Sequence, residues 1–155
     1  MSEKAKFLRK VGVAVAALVV PGVLLFEGTV YEGYRDPIGI VTACTGHTET
    51  AQLGRRYTPA ECEQLLYRDL LKHADDLQCI KVPLKDHEKA AFISFSFNVG
   101  REKFCGSSLV RKANAGDLIG ACAELSRWVW AGDRKLQGLV KRRAHERALC
   151  EGKGS

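Results

Sequence analysis

The sequence lacks the features that mark several specialised classes of protein. Its 155 residues contain no internal repeat, no low-complexity segment and no long linker. Structural zinc sites usually need close cysteine pairs, and because the chain has no CxxC pair we expect no metal. Hydrophobic residues make up 46% and charged residues 27%, which excludes wholesale disorder and a multi-pass membrane protein. This length and composition predict one domain with a sizeable core.

Positive charge is unevenly placed along the chain. The net charge is +6, to which residues 1–10 contribute +3 and residues 134–153 contribute +5, leaving −2 for residues 11–133. A nucleic-acid-binding protein normally spreads its basic residues over a recognition surface. We therefore expect no nucleic-acid partner, and we expect the basic ends to meet anions of a membrane or cell wall.

An apolar run from Val11 to Phe26 directly follows the basic decapeptide, which is the layout of a secretory signal. As a helix it would reach about 24 Å, short of the ~30 Å hydrocarbon core, and Pro21 would kink it or lower its stability. The small residues around Ala14 and Ala16 fall too early for cleavage. We interpret the run as a retained export signal; a buried helix of a cytosolic core is the alternative.

The chain has six widely spaced cysteines. Behind an export-like N-terminus, an even number of them indicates three disulfides formed in an oxidising compartment. Six cysteines allow fifteen pairings, and the sequence alone does not choose among them. The alternative is a set of buried thiols in a cytosolic protein.

The predicted secondary structure is α+β. Glycine, turn residues and short β-branched runs over residues 28–58 predict a small antiparallel sheet. A capping box over residues 58–61 begins a helix that we expect to reach about Gln78. A very apolar helix over about 86–99 is the predicted core helix. Further helices are predicted over about 107–115, 117–131 and 136–150.

Two carboxylic acids stand at a suggestive spacing. Glu27 ends the apolar run, Asp36 lies nine residues later in an Asp-Pro turn, and Thr42 follows in a strand. Packed against apolar residues, Glu27 would favour its protonated form, whereas Asp36 in a polar turn would stay ionised. Such a pair suits the acid and base of glycoside hydrolysis. The pair alone is not specific, because most of the eighteen acidic residues are expected on the surface.

The stretch that begins at Glu27 resembles a known sequence motif. The pattern Glu27-x8-Asp36-x5-Thr42, continued by Ala43-Cys44-Thr45-Gly46-His47-Thr48, resembles the catalytic motif of phage-type lysozymes, glycoside hydrolase family 24. The resemblance covers nearly the whole chain. It continues through residues 57–62 with Asp69, 91–100, 108–117, 126–128 and 142–143, which are similar to lambdoid phage endolysins.

The resemblance implies a lysozyme-like fold, with a small antiparallel β-lobe and a mainly helical lobe joined by a long helix. It implies hydrolysis of the β-1,4 bond between N-acetylmuramic acid and N-acetylglucosamine in peptidoglycan, by a monomer without a cofactor. Glu27 would be the general acid, and Asp36 with Thr42 would activate water, giving inversion. Asn98 would contact substrate. A structural pair of His47 and Asp69 would link the lobes.

The N-terminal run is similar to that of signal-anchor-release endolysins. This implies that residues 1–26 first tether the enzyme to the inner membrane on its periplasmic side, then leave the bilayer and become an N-terminal helix. Residues 27–155 would be the catalytic domain. The run contains no cysteine, so we expect refolding rather than disulfide exchange to activate the enzyme. The family pattern also implies the disulfides Cys44–Cys62, Cys79–Cys105 and Cys122–Cys150.

Several other residues are expected to have no catalytic role. Three histidines and an arginine cluster are interpreted as solvated helix faces; they are His73, His87, His145, Arg142, Arg143 and Arg147. Trp128 is expected in the core, and the place of Trp130 stays open. Two rival functions remain: a non-catalytic, membrane-tethered wall-binding protein, and a retaining lysozyme or transglycosylase that uses the same carboxyl groups.

Overall fold

The computed structural model describes residues 1–153; residues 154–155, the last two of the expected catalytic domain, lie outside the described residues. Its helices and strands, in chain order, are α1 (Glu3–Val11), α2 (Val13–Glu27), β1 (Val30–Arg35), β2 (Val41–Cys44), α3 (Pro59–Asp75), α4 (Asp86–Val99), α5 (Arg101–Cys105), α6 (Ser108–Asn114), α7 (Leu118–Glu124), β3 (Trp130–Ala131), β4 (Arg134–Lys135) and α8 (Gln137–Cys150). This is the α+β architecture that the sequence predicts, with small antiparallel sheets and a mainly helical remainder.

The N-terminal residues form two helices that pack into the body of the protein. Ser2 caps α1 by accepting a hydrogen bond from the Ala5 amide, and Gly12, with φ of +87°, separates α1 from α2. Phe7 is fully buried, and its ring lies 5.8 Å from that of Tyr67 on α3. The basic decapeptide is therefore helical and partly core. Helix α2 also continues through Pro21.

The β-lobe is a short antiparallel hairpin followed by an ordered loop. Tyr34 pairs with Thr42 and Arg35 with Val41, and a further bridge joins Glu32 to Arg56. Gly33 is required where it stands, because a Cβ there would overlap the Gln52 carbonyl oxygen. The loop consequently folds back onto β1.

Helix α4 is the central core helix. Residues 90–96 along it are all buried, and they contribute to two apolar clusters. One cluster joins α4 to α1, α2 and α3, and the other joins α4 to the helices that follow it. Helix α3 begins at the predicted capping box of Thr58 and Glu61. It ends at Asp75, three residues earlier than expected, and continues as a 3₁₀ turn over Asp76–Cys79.

The segment before α8 differs from the prediction. The helix expected over 117–131 ends at Glu124, and a 3₁₀ turn and a short β3–β4 hairpin follow. The hairpin pairs Trp130 with Lys135, and Gly132 in its turn has φ of +63°. A glycine tolerates the left-handed conformation that this hairpin turn adopts.

Three disulfides connect neighbouring parts of the chain. Cys44 is bonded to Cys62, Cys79 to Cys105 and Cys122 to Cys150, with Cα atoms 5.0, 5.9 and 5.6 Å apart. Each is expected to stabilise the fold by roughly 3 kcal/mol through its constraint on the unfolded chain. None of the helices found in residues 1–153 is long and apolar enough to cross a membrane.

Candidate active site

Glu27 is the last residue of α2, and two contacts fix its carboxylate. Its Oε2 accepts a hydrogen bond of 2.5 Å from the guanidinium of Arg142 on α8. Its other oxygen, Oε1, packs against Gly46, where a Cβ would approach within 2.7 Å. Gly46 also has φ of +70°, so both its conformation and its lack of a side chain are required. The side chain of Glu27 stays 18% exposed.

The surroundings of Glu27 differ from the apolar environment that the sequence predicts. Phe26 lies beside the Arg142 guanidinium, whose carbon is 6.0 Å from the centre of the ring. The carboxylate itself is ion-paired rather than enclosed by apolar side chains. The buried apolar residues of α2 face the α3 and α4 core instead; they are Val15, Ala16, Val19 and Val23.

The arginine cluster on α8 is buried, which corrects its interpretation as a solvated face. Arg142 is 3% and Arg143 1% exposed, and between them lies Glu146, which is fully buried. Glu146 accepts from both guanidinium groups and from the Ser94 hydroxyl. Buried charges are tolerated when they are paired and hydrogen-bonded, and this network meets that condition. Of the cluster, Arg147 alone remains part-exposed, with its Nε bonded to Glu151.

Arg143 extends the network to the rim of the cleft. It donates to the Trp128 carbonyl at 2.9 Å and to the side-chain oxygen of Asn98. Its guanidinium lies 4.8 Å from the centre of the Phe95 ring. Burial lowers the pKa of Arg143, and the charge of Glu146 opposes that shift.

Asp36 occupies the turn between β1 and β2. Its Oδ1 accepts from the backbone amides of Ile38 at 3.0 Å and Ile40 at 2.8 Å. Within residues 1–153 its Oδ2 has no hydrogen-bond partner, so that oxygen is available to a water or a substrate. The buried hydroxyl of Thr42 donates to the Ile40 carbonyl at 3.1 Å, which leaves its oxygen free to accept. One short turn thus orients both side chains.

The cleft beside Glu27 has a volume of about 350 Å³ and lies between the loop after β2, the C-terminal half of α3 and the end of α4. Its walls include Glu27, Asp69 and Asn98 among the residues that the sequence predicts. Asp36 and Thr42 are not part of this lining; they lie on the adjoining hairpin.

His47 and Asp69 form the pair that joins the β-lobe to α3. Nδ1 of the buried His47 lies 2.8 Å from Asp69 Oδ2, and its Nε2 lies 2.7 Å from the Thr50 hydroxyl. Both ring nitrogens are therefore occupied. This leaves His47 no free nitrogen with which to handle a substrate proton.

The other three histidines are part-buried and held by contacts, so the expectation of solvated helix faces is wrong for them. His73 is bonded to Asp76 at 2.7 Å, and His87 Nδ1 lies 3.0 Å from the Cys150 carbonyl. His145 packs against Gly22 and Phe26 of α2, and its Nε2 is buried without a partner among the described residues. Trp128 is partly buried against Phe95, and Trp130 is 57% exposed.

Sequence reasoning missed the role of Arg142 because its partner Glu27 lies 115 residues away. A local signal was present nonetheless. Arg142 and Arg143 stand four and three residues before Glu146, the helical spacing of an ion pair. The requirement for Gly46 carries no such signal, because it depends on the approach of α2.

A β-lobe and a helical lobe, with a central buried helix and an acidic cleft between them, define a lysozyme-like glycosidase. Comparison with known proteins supports this class. The phage lysozyme family matches residues 25–146. The SAR-endolysin of Bacteriophage PS119 is 43% identical over 126 residues, which cover 80% of this chain and 75% of the relative. The SAR-endolysin of Enterobacteria phage P21 is 40% identical over 143 residues, covering 89% and 87%.

A solved structure gives the same result. The muramidase domain of SpmX from Asticaccaulis excentricus superposes with a TM-score of 0.80 at 30% identity, covering 90% of this chain and 95% of that domain. The chain belongs to the phage lysozyme family and is a glycoside hydrolase of peptidoglycan.

Proposed function

We propose that this endolysin cuts the β-1,4 bond between N-acetylmuramic acid and N-acetylglucosamine with inversion, using Glu27 as acid and Asp36 with Thr42 to activate water. The observation that carries the proposal is the fixed carboxylate of Glu27 in the cleft, held between Arg142 and Gly46. Asp36 supports the second role because one of its oxygens is anchored and the other is free.

In a single displacement, Glu27 gives its proton to the glycosidic oxygen as the bond from that oxygen to the anomeric carbon breaks. The carboxylate that remains is stabilised by Arg142. Arg142 does not depend on Glu27 for its position, because Glu146 and the Ser94 carbonyl also bind its guanidinium. The positive charge is therefore in place before the negative charge forms, which is the arrangement that stabilises a transition state.

As that bond breaks, a water molecule attacks the opposite face of the anomeric carbon. Asp36 Oδ2 accepts one proton of that water, and the Thr42 oxygen accepts a hydrogen bond from its other hydrogen. The lone pair of the water oxygen is then directed at the sugar. Proton exchange with solvent returns Glu27 to its acid form and Asp36 to its base form, and the product has inverted configuration.

The decisive experiment compares wild type with Glu27→Gln on purified peptidoglycan and records product anomers by NMR. We expect the variant to lose about 10²–10⁴-fold in kcat, the usual contribution of general acid catalysis. The wild-type product should show the inverted anomer first. Equal rates would refute the role of Glu27, and a wild type that gives no turnover would favour the non-catalytic wall-binding protein. Retention, or products with 1,6-anhydro ends, would favour the retaining lysozyme or transglycosylase.

We also propose that residues 11–26 tether the enzyme to the inner membrane of the host before release into the periplasm, where α2 then docks. The relatives named above are SAR-endolysins, which supports this route. The exposed face of α2 supports it independently. Surface helices usually carry polar residues on their outer face, but α2 is apolar all round. Its exposed residues before Glu27 are Val13, Ala14, Ala17, Pro21, Leu24 and Leu25.

The outer face of α2 allows a test that leaves the enzyme core untouched. Replacing Ala14 and Ala17 with leucine favours membrane insertion by about 0.5 kcal/mol each, or roughly five-fold in the partition ratio together. We expect more enzyme in the membrane fraction, later lysis and unchanged activity of the purified protein. The matched control is Ala144→Leu, at an exposed position of α8. An unchanged amount of the double variant in the membrane fraction would contradict the proposed tether.

A further inference from the structure

His73 lies in the cleft that holds Glu27, although nothing in the proposed chemistry uses it. It stands in the last turn of α3, its side chain is 14% exposed, and its ring is 5.5 Å from that of Phe97 on α4. Both rings line the cleft. His73 is thus a partly exposed polar residue in the wall of the candidate active site.

A buried carboxylate fixes the orientation of this ring. Asp76 is 3% exposed, and its Oδ2 is bonded to His73 Nδ1 at 2.7 Å and to the Ser96 hydroxyl at 2.5 Å. Since a carboxylate accepts, Nδ1 carries the hydrogen in this contact. The opposite nitrogen, Nε2, has no hydrogen-bond partner within residues 1–153 and is not sealed from solvent.

We propose that His73 is a substrate-binding residue, whose Nε2 forms a hydrogen bond with a hydroxyl group of the glycan strand, and that Asp76 and Ser96 position it. A hydroxyl group both donates and accepts, so it pairs with Nε2 whether the imidazole is neutral or charged. The charged groups nearby on the cleft wall are already paired. Lys72 lies 3.5 Å from Glu49, and Asp69 is bonded to His47. Among the described residues the wall therefore offers no unpaired cation to an anionic peptide, which favours a sugar hydroxyl as the partner of Nε2.

The inference rests on the cleft beside Glu27 being the place where the glycan is cut. Its test is therefore a change in KM, whereas the test of Glu27 is a change in kcat. The substitution His73→Asn separates the two nitrogens, because an asparagine amide can replace the Nδ1 donor to Asp76 but has no counterpart of Nε2. The matched control is His87→Asn, since Nδ1 of His87 bonds to a carbonyl outside the cleft.

The assay uses soluble glycan strands from which an amidase has removed the stem peptides, in parallel with intact peptidoglycan. For His73→Asn we expect KM on both substrates to rise about five-fold, the effect of losing one hydrogen bond, with kcat within two-fold of wild type. His87→Asn should leave KM unchanged. Ser96→Ala should raise KM by a smaller factor, because it loosens the support of the ring.

Three outcomes would overturn the proposal. An unchanged KM in a folded His73→Asn protein would make His73 purely structural. A rise in KM on intact peptidoglycan alone would place its partner in the stem peptide. A fall in kcat alone would assign it to the chemical step. If His73→Asn does not fold, the His73 ring protons of the full-length Glu27→Gln protein can be followed by NMR as bare glycan is added. They should shift while those of His87 do not, and no shift would refute the contact.

Discussion

A single methyl group added at Gly46 should disable the enzyme while leaving it folded. Gly46 has φ of +70°, and its Cβ in an alanine variant would lie 2.7 Å from Glu27 Oε1 and 3.3 Å from the carboxyl carbon. Ordinary van der Waals contact begins at 3.4 Å. The carboxylate must therefore retreat by about 0.7 Å, and its hydrogen bond with Arg142 must lengthen or tilt.

Two separate effects follow from Gly46→Ala. The left-handed conformation costs a non-glycine residue about 1–2 kcal/mol, which lowers the free energy of unfolding. The displaced acid should lower kcat by about 10²-fold, since a misplacement of roughly 1 Å has that effect in well-oriented sites. KM should change much less, because the methyl group lies beside the acid rather than along the whole cleft.

The control is Gly54→Ala, which carries the same backbone strain without the clash. Gly54 has φ of +78°, and a Cβ there meets no atom within 4 Å. Thermal unfolding should place the two variants within about 1 kcal/mol of each other, while turbidity assays on peptidoglycan separate them by about two orders of magnitude. Equal activity of the two variants would refute the claim that Gly46 positions Glu27.

Further predictions concern the interface of α2 and α8 and the ion pair of Lys112 with the buried Glu124. Arg142→Met leaves the carboxylates of Glu27 and Glu146 without the guanidinium that they share. It should lower the free energy of unfolding, measured with denaturant, by about 3–5 kcal/mol, and Arg142→Lys should recover little of this loss. Gly22→Ala places a Cβ 2.8 Å from His145 Nε2 and should lower the free energy of unfolding by about 1–3 kcal/mol. In a protein that also carries His145→Ala, this loss should be largely recovered. If the losses of the two substitutions simply add, the contact is contradicted. The hydrogen bond from Lys112 lowers the pKa of Glu124. The contribution of this ion pair to the free energy of unfolding is therefore present above the ordinary pKa of a glutamate and is lost as the pH falls. Lys112→Met should therefore lower stability at neutral pH but not in acid, and a constant difference across pH would refute the assignment.

The parts of the fold that could be predicted are those set by local chemistry. The capping box at Thr58, the buried character of α4 and the glycine-rich β-lobe are all visible over a few residues. Residues 1–26 were expected to become one N-terminal helix, but its division at Gly12 into α1 and α2 was not predicted, and only the docking of α1 on α3 reveals that Phe7 is core. The β3–β4 hairpin was missed because a glycine near the end of a helical pattern does not by itself indicate a turn back into a strand.

In the candidate site, too, some features could be predicted from the sequence and others could not. The acidic residues could be proposed because their spacing resembles a known motif, but their surroundings could not. The ion pair of Glu27 joins the second helix to the last one, and the network around Glu146 needs both to be in place. The surroundings of the histidines are the hardest to predict from the pattern of a single helix. His73 was interpreted as solvated because Ser96, which shares its carboxylate, lies on another element.

The positions of the three disulfides determine whether they can form before α1 and α2 dock. Their loops, with sequence separations of 18, 26 and 28, follow one another along the chain, and none encloses another. None includes any residue of α1 or α2. The covalent framework of the body can therefore close completely while the first 27 residues are elsewhere. On the proposed route the tethered protein is stored fully oxidised, so its activation needs only the docking of α1 and α2 and no change in redox state.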